Sequence, residues 1–175
     1  MCGIAGIIHR GKTVDIGSEM QGMLQALKHR GPDSTGYALY GEGSKGDYIL
    51  RFKVGENVKE GSSAANEEKA VYDERRKQVD KYIRDLGADI LQDQQLTPYS
   101  FRYVIKYDKD LMEFSKKIES VEMTEILSLG KTLELVKDIG DASVVSKQYG
   151  LDKICLLYTS PSPRDKRQSR MPWCA

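Results

Sequence analysis

The chain has 175 residues, 39% hydrophobic and 30% charged, with a formal net charge of +1. That length suits one domain with room for an insertion, and the balance is that of a folded globular protein, neither a disordered chain nor a polybasic nucleic-acid arm. No apolar run approaches the ~18 residues of a membrane span, and no charged start leads into a long apolar stretch, so a cytoplasmic protein without a membrane partner is expected.

The chain opens Met1-Cys2-Gly3-Ile4-Ala5-Gly6-Ile7-Ile8. Removing one methionine would leave a thiol and a free α-amine on the same residue, which is a nucleophile with a base attached. A cysteine attacks as thiolate, and an α-amine with an unperturbed pKa of about 7.7–8.0 suits proton transfer near neutrality. The plain alternative makes Cys2 a small apolar residue at the start of a buried strand. A strand is expected over residues 3 to 9, with Gly3 and Gly6 allowing close backbone approach or, for Gly6, tight strand packing. A helix should follow from about Ser18, where Ser18 and Gln21 fit a capping box and Met20, Met23, Leu24 and Leu27 make one apolar face. These methionines read as core. With His9 and His29 the only histidines and no His-x-x-His spacing, no metal or other cofactor is expected.

His29-Arg30-Gly31-Pro32-Asp33-Ser34-Thr35-Gly36 then reads as a helix end and a Gly-Pro-Asp turn, with Asp33 capping the turn, and a strand follows over about 35 to 40. Residues 41 to 46 read as a hairpin loop. From Asp47 to about Gly130 the order is strand, helix, strand, strand, helix, strand. Tyr48, Leu50, Phe52 and Val54 alternate with Ile49, Arg51 and Lys53, the period of a half-buried strand. Asn66 can cap a helix on which Val79, Tyr82, Ile83 and Leu86 recur, ending at Gly87. The charges of Glu67 to Asp85 read as a solvated face laced by i,i+4 pairs. Phe101, Tyr103, Ile105 and Tyr107 alternate in a further strand, Leu111, Phe114 and Ile118 mark a helix, and Ile126-Leu127-Ser128-Leu129 the last strand. This order suits a ferredoxin-like (βαββαβ) α+β unit. The aromatic strand, with Arg102 and Lys106 interleaved, could stack single-stranded RNA, but an amphipathic sheet packed on two helices is the better reading, and no nucleic-acid partner is expected.

Residues 155–175 change character. They hold three of the five prolines, the only tryptophan, and two of the three cysteines. Their order is similar to a translated sequencing-library adapter, a non-native tail to be excluded from fold reasoning. The tail carries Arg164, Lys166, Arg167 and Arg170 against Asp165, so without it the net charge of +1 becomes −2 and no basic surface needs a partner. Without the tail Cys2 is the only cysteine, which suits a reducing compartment.

Cys2 and the Arg30-Gly31-Pro32-Asp33 turn together resemble the class II glutamine amidotransferases, which are N-terminal-nucleophile hydrolases. The stretches Ser128-Leu129-Gly130-Lys131 and Lys147-Gln148-Tyr149-Gly150-Leu151 resemble, within that family, the amidotransferase domain of split glutamate synthases and N-methylglutamate synthase. The resemblance implies that Cys2 hydrolyses the side-chain amide of glutamine and that ammonia passes to a synthase subunit or domain. It implies that Arg30 and Gly31 form the loop beside the nucleophile. It also implies the N-terminal part of a four-layer αββα sandwich, carried by 1–46 and 131–154; the order of elements, and not the resemblance, places the ferredoxin-like unit as an insertion at 47–130. The family's Gly-His-x-Arg-x-Ala-Thr segment and oxyanion Asn-Gly pair are absent from these 175 residues. A truncated, inactive amidotransferase is therefore expected, the alternative being a ligand- or subunit-binding module with a vestigial amidotransferase start.

Overall fold

The computed structural model describes residues 3–8, 16–30, 33–40, 46–56 and 65–153. The fold is mixed α+β, with a two-stranded and a four-stranded sheet, both antiparallel.

The four-stranded sheet is built from β2 (Tyr48–Lys53), β3 (Asp89–Thr97), β4 (Ser100–Lys106) and β5 (Glu125–Gly130), in the order β3-β4-β2-β5. Helix α2 (Ala65–Asp85) connects β2 to β3, and α3 (Leu111–Glu119) connects β4 to β5. Leu50, Phe52 and Val54 of the β2 segment and Phe101, Tyr103 and Ile105 of β4 share one core with Val79 and Ile83 of α2 and with Phe114 and Ile118 of α3. The Phe52 ring stacks on Phe101 at 5.3 Å and meets Tyr103 edge-on at 5.1 Å, arrangements that rings favour over a face-to-face sandwich. The aromatics of β4 are thus buried under helices as expected, but the opposite face of the strand is covered as well, with Ser100 and Val104 buried, so the strand is not amphipathic. Two local signals fix the helices. α2 ends in a Schellman motif, with Ala88 N–H bonded to Ile83 O, Gly87 N–H to Arg84 O, and Gly87 at φ +82°, a backbone state that favours glycine. α3 starts where the Asp110 carboxylate accepts from Met112 N–H.

The smaller sheet pairs β1 (Ser34–Tyr40) with β6 (Leu133–Ile139), Ser34 opposite Ile139 and Tyr40 opposite Leu133. Helix α1 (Ile16–Ala26), helix α4 (Ala142–Tyr149) and a 3-10 turn at Leu151–Lys153 pack with it, joining Tyr37, Val136, Val145, Tyr149 and Leu151 to Met20 and Leu24. α1 approaches that last turn so closely that a Cβ on Gly17 would lie 1.9 Å from the Leu151 carbonyl oxygen.

Several expectations are corrected. Residues 3–8 alternate in exposure but form no strand, because a strand needs a ladder partner and none is hydrogen-bonded to them among the described residues. The first helix begins at Ile16, ahead of Ser18, and Met23 faces out at 40% exposure while Met20 and Leu24 pack inward. Residues 41–45 lie outside the described residues, but the strands on either side are not a hairpin: β1 pairs with β6, and β2 with β4 and β5. α2 begins at Ala65, so Asn66 sits inside its first turn and not at its cap. The charges of α2 are not all solvated either. Arg75 donates to Val54 O, and Arg76 donates to the Tyr103 hydroxyl and pairs with Asp93, because the helix lies over the sheet and brings these side chains to acceptors on it. Finally, β2 is buried on both faces, Arg51 and Lys53 included.

Candidate active site

Of the three residues singled out in the sequence, Cys2 and Gly31 lie outside the described residues. Arg30 is described: it is exposed and ends the 3-10 turn Lys28–Arg30, with its N–H bonded to Leu27 O at 2.9 Å. Gly3, the residue after Cys2, lies against Leu27, the residue just before that turn, since a Cβ there would come 3.0 Å from Leu27 Cβ. The structure therefore brings the start of the described chain to the end of α1, where Arg30 is presented.

The segment around Arg30 is held from one direction. Lys28 Nζ donates to Asp141 Oδ2 at 2.7 Å, Gly140 N–H donates to Asp33 O at 3.0 Å, and Thr35 Oγ1 donates to Gly140 O at 2.8 Å. Asp141 is also the N-cap of α4, accepting from Ser143 and Val144 N–H. The Lys28 ammonium, and then the Val144 amide, keep its carboxyl below the ordinary aspartate range. Asp33, which was expected to cap the turn, makes its described contact through its backbone carbonyl.

Behind this segment runs a layer of buried charge that sequence reasoning missed. Glu134 of β6 accepts from Arg51 Nε at 2.6 Å and from Arg102 Nε and an Arg102 terminal nitrogen at 2.8 and 3.0 Å. Four residues on, Asp138 accepts from Lys53 Nζ at 3.0 Å and from the Tyr99 and Tyr149 hydroxyls, each at 2.7 Å. Gln148 in turn donates to the Tyr99 hydroxyl. Burial alone would push both carboxyls up. For Glu134 the Arg102 hydrogen bonds and the Arg51 charge outweigh burial, and for Asp138 the Tyr149 and Tyr99 hydroxyls do, so both stay below the ordinary range. Tyr99 and Tyr149 are raised, first by burial; the bond each gives to Asp138 pushes the same way. Such carboxylates are ionised and saturated with donors at neutral pH, and the phenols are neutral. They are suited to joining two sheets and not to exchanging protons with a substrate. A signal was present: Glu134 and Asp138 share a face of one strand, as do Arg51 and Lys53 of another, and the two pairs are complementary.

Among the described residues no group of three or more His, Cys, Asp or Glu side chains could hold a metal ion, and no helix is long and apolar enough to cross a membrane. No protein-family model matches the chain. A curated protein of Methanothermobacter thermautotrophicus (strain Delta H), named "Putative glutamine amidotransferase", is 29% identical over 154 residues, which is 85% of this chain and 47% of that protein. The similarity is to a "Putative glutamine amidotransferase". The chain spans about half the length of this relative.

Proposed function

We propose that the protein is the glutamine-hydrolysing part of a class II, N-terminal-nucleophile amidotransferase working through Cys2. The observation that carries this reading is the combination of Cys2 with the Arg30-Gly31 turn in a chain similar to a glutamine amidotransferase. The contact of Gly3 with Leu27, at the root of that turn, supports it. With Met1 removed, the α-amine takes the thiol proton and the sulfur attacks the side-chain carbonyl carbon of glutamine. The tetrahedral adduct collapses by breaking its C–N bond, and the amine returns the proton to the departing ammonia. Water then cleaves the thioester, releasing glutamate and restoring the thiol. Arg30 and Gly31 wall the nucleophile, and ammonia passes to a synthase domain or subunit.

In this reading residues up to 46 and from 131 to 154 belong to an αββα sandwich, and 47–130 form a ferredoxin-like insertion. The strand order β3-β4-β2-β5 and the two helices sharing one core are consistent with such a unit. The glutamine-carboxylate arginine segment and the oxyanion Asn-Gly are absent from these 175 residues. An oxyanion donor alone is worth about 10²–10³ in rate, so the activity is assigned to a longer protein and these residues by themselves should release no ammonia.

The test is to treat the full-length protein with a glutamine-mimicking electrophile and locate the adduct by mass spectrometry, which also reports whether Met1 is removed. An adduct on Cys2 is expected, and Cys2→Ala should lower ammonia release on the order of 10⁴-fold or more. Ammonia release that survives Cys2→Ala overturns the assignment.

A further inference from the structure

The geometry points to the Gly140–Asp141 turn, at the junction of β6 and α4, as the element that positions Arg30. This inference rests on the amidotransferase reading for its function, but its structural content is independent of that reading.

Lys28 and Asp33 flank Arg30 in the chain, and both are tied to the same two residues. Asp141 Oδ2 accepts from Lys28 Nζ, and Gly140 N–H donates to the Asp33 carbonyl. Thr35 adds a third tie through Gly140 O, and the Tyr37 hydroxyl a fourth through Ala142 O at 2.9 Å. A three-residue 3-10 turn has little internal hydrogen bonding to hold its direction, so an exposed residue on it takes its orientation from such anchors. The two oxygens of Asp141 divide the work. Oδ1 receives Ser143 and Val144 N–H and caps α4, while Oδ2 is given to Lys28. Capping therefore does not account for the second oxygen. Gly140, at φ +124°, makes the turn in a backbone state that L side chains rarely adopt.

The turn itself is not free to drift. β6 enters it directly from Asp138 and Glu134, which are bound to Lys53, Arg51 and Arg102 of the four-stranded sheet. Arg30 is thus referenced through β6 to the larger apolar core among the described residues. In functional terms Asp141 and Lys28 are positioning residues, and they act on the candidate site through Arg30.

The test uses Lys28→Met, which leaves Asp141 and its cap in place, and Asp141→Ser, which keeps a capping hydroxyl but gives up the carboxylate that pairs with Lys28. In the full-length protein each should slow modification of Cys2 by a glutamine-mimicking electrophile by up to about fivefold, the upper range for a largely exposed pair. The rate with a small neutral thiol reagent should stay unchanged. Neither variant should slow the reaction further in an Arg30→Ala background, because residues acting through one another are not additive. Both should also speed amide hydrogen exchange at Arg30 and Gly140. Unchanged modification and exchange in both variants overturn the proposal, as do losses that add fully to that of Arg30→Ala. If the parent protein does not react at Cys2 at all, the amidotransferase reading fails, and exchange at Arg30 and Gly140 alone decides whether the turn positions this segment.

Discussion

The two apolar clusters among the described residues are held together in different ways. The larger lies between α2, α3 and one face of the four-stranded sheet, and comes from one continuous stretch of chain that runs strand, helix, strand, strand, helix, strand. The smaller joins α1 and β1, from the first part of the chain, to β6, α4 and the turn at Leu151–Lys153. An isolated two-stranded ribbon is marginal in water, and here β6 is bound to its neighbour by Glu134 and Asp138. The larger cluster has the aromatic burial to support itself. The smaller, which carries Arg30, depends on buried charge.

Asp138→Ala is the strongest way to break that comparison. It leaves the Lys53 ammonium buried without a counter-charge and removes the acceptor of Tyr99 and Tyr149, a change that costs about 3–5 kcal/mol. Calorimetry should show the loss, and methyl NMR should show Val136 and Val145 disturbed before Ile83 and Ile118. Equal disturbance of both groups would mean that the clusters are one cooperative unit. Gly17→Ala should cost less, about 1–3 kcal/mol for overpacking, because its methyl must displace the Leu151 carbonyl. The expected readout is a lower melting temperature with the Ile83 and Ile118 methyls unmoved.

The smallest and most gradual effect is with pH. Glu134 and Asp138 have folded pKa values below their ordinary ones, so their stabilisation is present above the unfolded value of about 4 and is lost as pH falls through the folded value. Tyr99 and Tyr149 are shifted up, so their contribution is present below about pH 10 and is lost on further rise. Melting temperature against pH should be flat between these limits. Replacing Asp138 with Asn should weaken the acid limb, and an unchanged acid limb would place the titrating groups elsewhere.

Much of the fold was legible because it is local. Period-two alternation found β2 and β4, a short apolar run found β5, and helical spacing with a terminal glycine found α2 and its Schellman end at Gly87. Alternation says which residues share a face, but not what covers it. Arg51 and Lys53 read as the wet side of β2 because Glu134 and Asp138, far along the chain, are what bury them. The strand expected at residues 3 to 9 failed for a related reason, since a pattern of exposure cannot supply a pairing partner. At the candidate site, Cys2, Arg30 and Gly31 were visible as chemistry. Lys28, Gly140 and Asp141 were not, because a contact between a turn and a strand end so far apart leaves no local period.

Tyr40 faces Leu133 across the ladder, so everything between them departs from and returns to a single rung. The two strand ends are close enough for a short turn to bridge, yet the intervening segment is tied back to the ladder: it supplies Arg51, Lys53 and Arg102 to the acids of β6, so excising it would leave Glu134 and Asp138 without their counter-charges.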